Sequence, residues 1–421
     1  MEQREVITLG NGARIVFDAM AGLRTASVGV YLGAGARHEP AALNGLAHFL
    51  EHMAFKGANG LNARDIAEVV EARGASMNAA TDYERTSYFV RCLSADAPQM
   101  LDIALSLVFA PELPLDEIER EKFVVLQEIG EAADQPDDLV MELSQAASFP
   151  GHPLGRPILG VEASLKPISR DDLIAFAETT YVPSRTVVSV AGAFDRTAVE
   201  TVARRWLEER TVLAAHHSLP PAPPRAYAAT VARKLEQTHL VLAHPGPHAL
   251  SDERFAARIF AEIFGGGMAS RLFQEVRESR GLAYTIDASA EQYSDAGRIS
   301  VFAGCAPGDA AKVVDLTRTI WADLAVTGPT EAELSRARAI AAASYAMAAE
   351  GPAARAGSAA YELLAFDRLI TVEETMRRID SVTAEDVRRI AAAALNGPPV
   401  AAAVGPKAGL AAAEAFVSSR A

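Results

Sequence analysis

Cysteine is nearly absent from this chain, with only Cys92 and Cys305 among 421 residues. Two thiols cannot form a disulfide framework. Both lie inside apolar, strand-like runs, where a thiol acts as a small buried hydrophobe in a reducing compartment. No stretch approaches the ~18 consecutive apolar residues of a membrane-spanning helix. The opening segment, MEQREVITLGNGARIV, lacks a positive region followed by an apolar one, so no signal peptide is expected and the cytoplasm is the expected location. Positive charge is in deficit, 40 Lys and Arg against 54 Asp and Glu, for a net charge of −14. That balance argues against a nucleic-acid partner; it suits a basic peptide, and it equally suits simple solubility. The glycine run 265–267 has no Lys-Ser/Thr after it and is not a phosphate cradle.

What is present reads as an ordinary soluble chain, 50% hydrophobic and 22% charged, long enough for two or three domains. Residues 5–17 alternate around Gly10-Asn11-Gly12, a hairpin signal, and 24–32 form a third strand. A helix over 62–73 has Asn62 at its cap and Gly74 as its stop. Two strands over 76–81 and 83–93 follow, then helices over about 95–109, 115–132 and 137–148. The segment Gly151–Gly160 is loop. Ser169 and Asp172 form a capping box ahead of a further helix, and 185–191 is a strand. Residues 212–226, with four prolines and His216-His217, read as a linker.

The second half repeats the first. Arg73-Gly74 recurs as Arg280-Gly281, and Cys92 as Cys305. LDEIEREK recurs as EAELSRAR, Ser169–Leu173 as Thr383–Val387, and VVSVAG as VAAAVG. These landmarks keep their order at offsets of 207 to 216 positions. Duplication accounts for that, and predicts an α+β chain of two homologous domains, 1–211 and 227–421, each a mostly antiparallel sheet flanked by helices.

In the first copy, LNGLAHFLEHMAFKG carries apolar residues at Leu46, Phe49, Leu50 and Met53, a buried helical face. His48 and His52 stand four apart and therefore share one side, with Glu51 beside them. Two stacked imidazoles with a carboxylate form the core of a zinc site with its general base, in the inverted order His-x-x-Glu-His. In the repeat the equivalent positions are Ala257, Phe260 and Ala261, so only one copy can hold a metal. Such a site needs a third ligand from another helix. Glu121 and Glu128 lie two turns apart on one face of EREKFVVLQEIGE, and their counterparts, Ala337 and Ser344, lose the acids where the histidines are lost.

The segments GLAHFLEHMAFKG, GASMNAATDYERTSYF, EREKFVVLQEI, HPLGRPILG and SRLFQEVRESRGLAY together resemble the pitrilysin/insulinase family of zinc metallopeptidases. Within it they are similar to the mitochondrial processing peptidase and its bacterial homodimeric relatives. The resemblance implies that Glu128, 76 positions after His52, is the third zinc ligand and that Glu121 orients a ligand histidine. It implies that Arg277 and Tyr284 bind substrate and stabilise the oxyanion. It also implies that Asn78 and Ala79 pair with an extended peptide, although Asn78 alternatively caps a turn.

The expected function is that of a zinc-dependent endopeptidase with one Zn2+ per chain, acting as a homodimer on peptides or unfolded, presequence-like segments in an enclosed chamber. Two alternatives stand beside it: a non-catalytic scaffold subunit of the same fold, and a peptidase dedicated to maturing one substrate.

Overall fold

A computed structural model describes residues 4–211 and 225–418 of the chain. The first of its two sheets contains β1 (Arg4–Thr8), β2 (Arg14–Ala19) and β3 (Thr25–Leu32). A small hairpin, β4 (Gly57–Ala58) with β5 (Leu61–Asn62), stands apart from it. β6 (Ser76–Thr81), β7 (Thr86–Leu93) and β8 (Thr186–Gly192) complete the sheet, in the order β1-β2-β8-β3-β7-β6. The second sheet is built from β9 (Tyr227–Ala232), β10 (Thr238–Pro245), β11 (Ala283–Gln292), β12 (Gly297–Cys305) and β13 (Val400–Gly405), in the order β11-β12-β10-β13-β9.

The two orders superimpose strand for strand once β1 is set aside. Each sheet has one parallel pair, β2 with β8 and β9 with β13, and is otherwise antiparallel. The landmarks of the repeat fall at matching places. Cys92 pairs with Ala26 and its thiol faces the Ala26 carbonyl; Cys305 pairs with Thr238 and faces the Thr238 carbonyl. β8 and β13 each end in a glycine with positive φ, Gly192 at 110° and Gly405 at 155°, where a Cβ would lie within 2.9 Å of the backbone of the adjacent strand.

β8 and β13 are buried along their whole length, which is why they read as continuous apolar runs. One face of each sheet packs on helices of its own half. The other face is covered by a helix from the opposite half of the sequence. Helix Pro352–Phe366 lays Ala359, Ala360 and Leu363 on Val16 and Val187 of the first sheet. Helix Pro136–Ser148 lays Val140 on Val241, Ala402 and Val404 of the second. These two helices are themselves counterparts in the repeat, each opened by a proline at the first helical position.

The compact units are therefore not the two halves of the sequence. The first contains Met1–Gly130, Arg156–Ser218 and Ala346–Ile370; the second contains Glu131–Gly155, Leu219–Tyr345 and Thr371–Ala421. Of the linker expected at 212–226, residues 212–224, with His216 and His217, lie outside the described residues. Among the described residues no helix is long and apolar enough to cross a membrane.

In the first unit the exchanged helix is fixed by a buried ionic cluster. Arg355 makes a bidentate pair with Asp18 of β2, both contacts at 2.7 Å. Arg4 reaches Asp18 at 3.2 Å and Glu362 at 3.3 Å. Removing one partner of such a cluster leaves charge stranded in a low-dielectric interior. Asp18→Asn is expected to lower unfolding stability by about 3–5 kcal/mol in urea titrations. Glu68→Ala, which breaks an exposed helical pair with Arg64, should cost less than about 1 kcal/mol.

Candidate metal centre

The motif helix spans Leu46–Ala54. Leu46, Phe49, Leu50 and Met53 face the first unit's core, while His48, Glu51 and His52 lie half-buried on the other side. A nine-residue helix is too short to be stable alone. Its N-cap is Gly45, at φ 96°, which has no side chain to cap with. The cap comes from Glu39, whose carboxylate accepts from the Gly45 amide, the Ala47 amide and the Asn44 side chain at 2.8, 2.8 and 2.9 Å. A negative charge there also meets the positive end of the helix dipole. Gly45 is needed sterically as well, since a Cβ would lie 2.7 Å from the Leu159 carbonyl. The loop that ends at Gly160 thus lies against the start of the motif helix.

The acidic helix, Leu115–Asp134, brings its two glutamates to the histidines. Glu121 is buried and spends both oxygens: one on His52 Nδ1 at 2.8 Å, the other on Lys56 Nζ at 2.6 Å. Glu128 Oε2 lies 3.6 Å from His52 Nε2 and 3.8 Å from His48 Nε2. The imidazole centroids are 4.5 Å apart. One ligand atom from each of His48, His52 and Glu128 falls within 4.8 Å of the others.

This set fits a metal on chemical grounds. Glu121 accepts a hydrogen bond from the Nδ1–H of His52, which leaves the Nε2 lone pair facing the Glu128 carboxylate oxygen. Acceptor faces acceptor, an arrangement that a cation between them would relieve. Burial, reinforced by His52, lowers the His48 pKa to about 4, which keeps that imidazole neutral and able to ligate. The 3.6 and 3.8 Å spacings to Glu128 are close to the ~3.4 Å edge expected of a tetrahedron with bonds of ~2.1 Å, and a set of two nitrogens and one carboxylate suits zinc.

Glu51 stands next to the three. Burial raises its pKa, and a hydrogen bond from the Thr81 hydroxyl opposes the rise. Thr81 closes β6, the edge strand that carries Asn78 and Ala79. The Asn78 side chain accepts from the Ala79 amide at 2.9 Å, covering an edge N–H that otherwise faces away from β7.

Arg277 and Tyr284 belong to the second unit. Arg277 lies on a widened helical turn, Phe273–Glu278, in which the Ser279 amide reaches back five residues to the Gln274 carbonyl. Its guanidinium sits over the Phe273 ring at 4.6 Å and over the Tyr284 ring at 5.5 Å. Tyr284 is 74% exposed and occupies a bulge in β11, where register slips between Ala283 and Thr285. Bulges and widened turns re-aim side chains and recur at functional sites.

Three contributors were not signalled by the sequence: Glu39, Lys56 and Thr81. A glutamate before a loop, a lysine after a helix and a threonine ending a strand are each commonplace. Only the folded distances give them roles.

Comparison with known proteins agrees with the site's chemistry. Residues 14–162 match the family described as Insulinase (Peptidase family M16), and residues 167–341 match the Peptidase M16 inactive domain. An uncharacterized zinc protease of Mycobacterium leprae is 34% identical over 408 residues, 95% of this chain and 91% of that protein. Another, from Bacillus subtilis, is 31% identical over 384 residues, 91% of this chain and 94% of its own. A solved structure from Pseudomonas fluorescens, described as a peptidase M16 inactive domain, superposes with a TM-score of 0.88 at 24% identity. That match covers 96% of this chain and 98% of that one.

Two outcomes follow from the geometry. Glu121→Gln should weaken Zn2+ affinity by about 10- to 100-fold in competition with a chromogenic chelator; unchanged affinity would remove Glu121 from the support of His52. Burial pushes the Glu39 carboxyl up to about 7 from its ordinary 4.5, against the pull of its three N–H donors. A group with a raised folded pKa stabilises the fold fully below its unfolded value and loses that contribution as pH rises through its folded one. From pH 4.5 to 7.5, wild type should therefore lose about 3 kcal/mol of stability relative to Glu39→Gln. Parallel denaturation curves at the two pH values check this.

Proposed function

The chain belongs to the insulinase family of peptidases (peptidase family M16), and from that membership we propose that it is a zinc-dependent endopeptidase hydrolysing peptides or unfolded, presequence-like segments. The observation that carries the reading is the convergence of His48, His52 and Glu128, with the Glu51 carboxylate alongside. In this reading the first three residues hold one Zn2+ per chain. Bound zinc would supply Lewis acidity, lowering the pKa of water toward ~7 and polarising the scissile carbonyl.

The chain's own groups do the rest. Glu51 accepts a proton from the attacking water and hands it to the leaving amine nitrogen. Glu121, held by Lys56, fixes the ring of His52 and its tautomer. The Tyr284 hydroxyl, carried outward by its bulge, donates to the carbonyl oxygen as negative charge develops. The Arg277 guanidinium, set between two rings, offers its N–H donors to a substrate carbonyl or carboxylate. The open edge of β6 at Asn78 and Ala79 offers main-chain pairing to an extended peptide, with the Asn78 side chain swinging clear of the Ala79 amide.

Homodimeric assembly and an enclosed substrate chamber, both by resemblance to the processing peptidases, complete the proposal, together with a cytoplasmic location, which suits the two free buried thiols. The net charge of −14 favours basic peptides among the substrates.

The deciding experiment measures zinc per chain and cleavage of a quenched basic peptide, with and without chelator. Glu51→Gln should retain zinc and lose about 100- to 10,000-fold in kcat. Glu128→Gln should lose both zinc and cleavage. Cleavage unaffected by Glu51→Gln would sink the assigned mechanism. A chain that binds zinc but cuts no generic peptide would favour the dedicated-substrate alternative, and one that binds none would favour the scaffold.

A further inference from the structure

Thr81 occupies a position that neither the motif nor the family resemblance assigns. β6 alternates along its length, with Ser76, Asn78 and Ala80 outward and Met77, Ala79 and Thr81 partly buried. Met77 and Ala79 pack against the first unit's core, so the inner face of β6 is turned toward the motif helix. At the end of that face the Thr81 hydroxyl donates to Glu51 Oε2. A strand threonine commonly leaves its hydroxyl to solvent or to a neighbouring carbonyl; this one is spent on a carboxylate of another element. On the outer side of the same strand, two residues back, the Ala79 amide is covered only by the Asn78 side chain.

One short strand thus carries an unpaired edge along one side and, at its end, the group that grips Glu51. We propose that Thr81 is a positioning residue, whose hydroxyl fixes the aim of the Glu51 carboxylate and ties it to the strand on which a peptide would dock. The proposal rests on the peptidase reading and deepens it. Glu51 has flexible side-chain torsions and must present one oxygen to a water. A hydrogen bond from a β-branched residue inside a paired strand removes much of that freedom without touching the metal ligands. The tie also gives substrate pairing on β6 a direct route to the base, because any settling of the strand is passed on at Thr81.

The test uses the full-length, zinc-loaded chain and three substitutions at this position. Thr81→Val keeps the branched shape and removes the hydroxyl, Thr81→Ser keeps the hydroxyl, and Thr81→Ala carries the same test should the valine variant be unstable. Thr81→Val should lose about 10- to 100-fold in kcat on a quenched peptide with KM and zinc content unchanged, and Thr81→Ser should recover most of the loss. Wild-type kcat in Thr81→Val, or equal impairment in valine and serine variants, overturns the proposal.

Crystal structures of wild type and Thr81→Val give a readout independent of turnover. The Glu51 carboxylate should leave its wild-type position in the variant, and a carboxylate that stays within about 0.5 Å overturns the assignment. A wild-type chain that cuts no quenched peptide, or cuts it unaffected by chelator, counts against the general zinc-endopeptidase reading alone, since the structures still decide what Thr81 does to Glu51.

Discussion

Everything at the site depends on holding a helix that could not hold itself. Nine residues give few internal hydrogen bonds, the cap position is a glycine, and the helix must carry two imidazoles and a carboxylate at the margin of an apolar core. The support comes from outside in sequence. Glu39 supplies the cap from six residues before Gly45, and the backbone at Leu159 and Gly160 closes against Asn44 and Gly45 so tightly that neither glycine can carry a Cβ. Glu121 and Lys56 then fix one side of the helix, and Thr81 grips another. His48, His52 and Glu128 are thus part of a larger polar assembly, whose remaining members hold their backbone and ring orientations in place.

Much of this was legible in the sequence, for identifiable reasons. The motif stands out because polar residues at three- and four-residue spacing interrupt an otherwise apolar helix, and the capping boxes at Asn62, Ser169 and Thr383 form as their residue types dictate. The paired acids on Leu115–Asp134 are separated by whole helical turns, so their common face could be read directly. Backbone irregularity could not be read that way. The bulge that pushes Tyr284 outward adds one residue to a strand whose alternation is weak, and the five-residue hydrogen bond beneath Arg277 leaves no mark on an apolar pattern.

The exchanged helices escaped for a different reason. An apolar stripe on Pro136–Ser148 states that the helix must be buried, and says nothing about which of two similar sheets will bury it. The repeat makes that ambiguity worse, because the two sheets present nearly the same central strand, TVVSVAG in one and VAAAVG in the other. What specifies the partner is polar. Asp18 on β2 has two arginines waiting for it, Arg4 and Arg355, and β9, the counterpart of β2, has no carboxylate to offer the counterpart helix. The ionic cluster thus selects as much as it stabilises, in the sense that a buried charge tolerates only the pairing that satisfies it.

The second copy shows the same helix position without the two imidazoles and the carboxylate. Phe260, at the position of Glu51, is fully buried and stacks 5.2 Å from Phe264 and 5.4 Å from Trp321; Ala257 and Ala261, at the positions of the histidines, are buried beside it. Burying one such ring contributes about 1.5–3 kcal/mol, where a partly buried carboxylate has to be compensated by neighbours. Apolar packing at these positions thus favours the stability of the copy, which needs no equivalent of the Glu121–Lys56 pair. Its own irregularities lie elsewhere, at the turn under Arg277 and the bulge at Tyr284. On the proposed reading, these departures from regular backbone serve to present Arg277 and Tyr284 to a substrate. One copy thus keeps polar groups in a helix, and the other keeps distortions in its backbone.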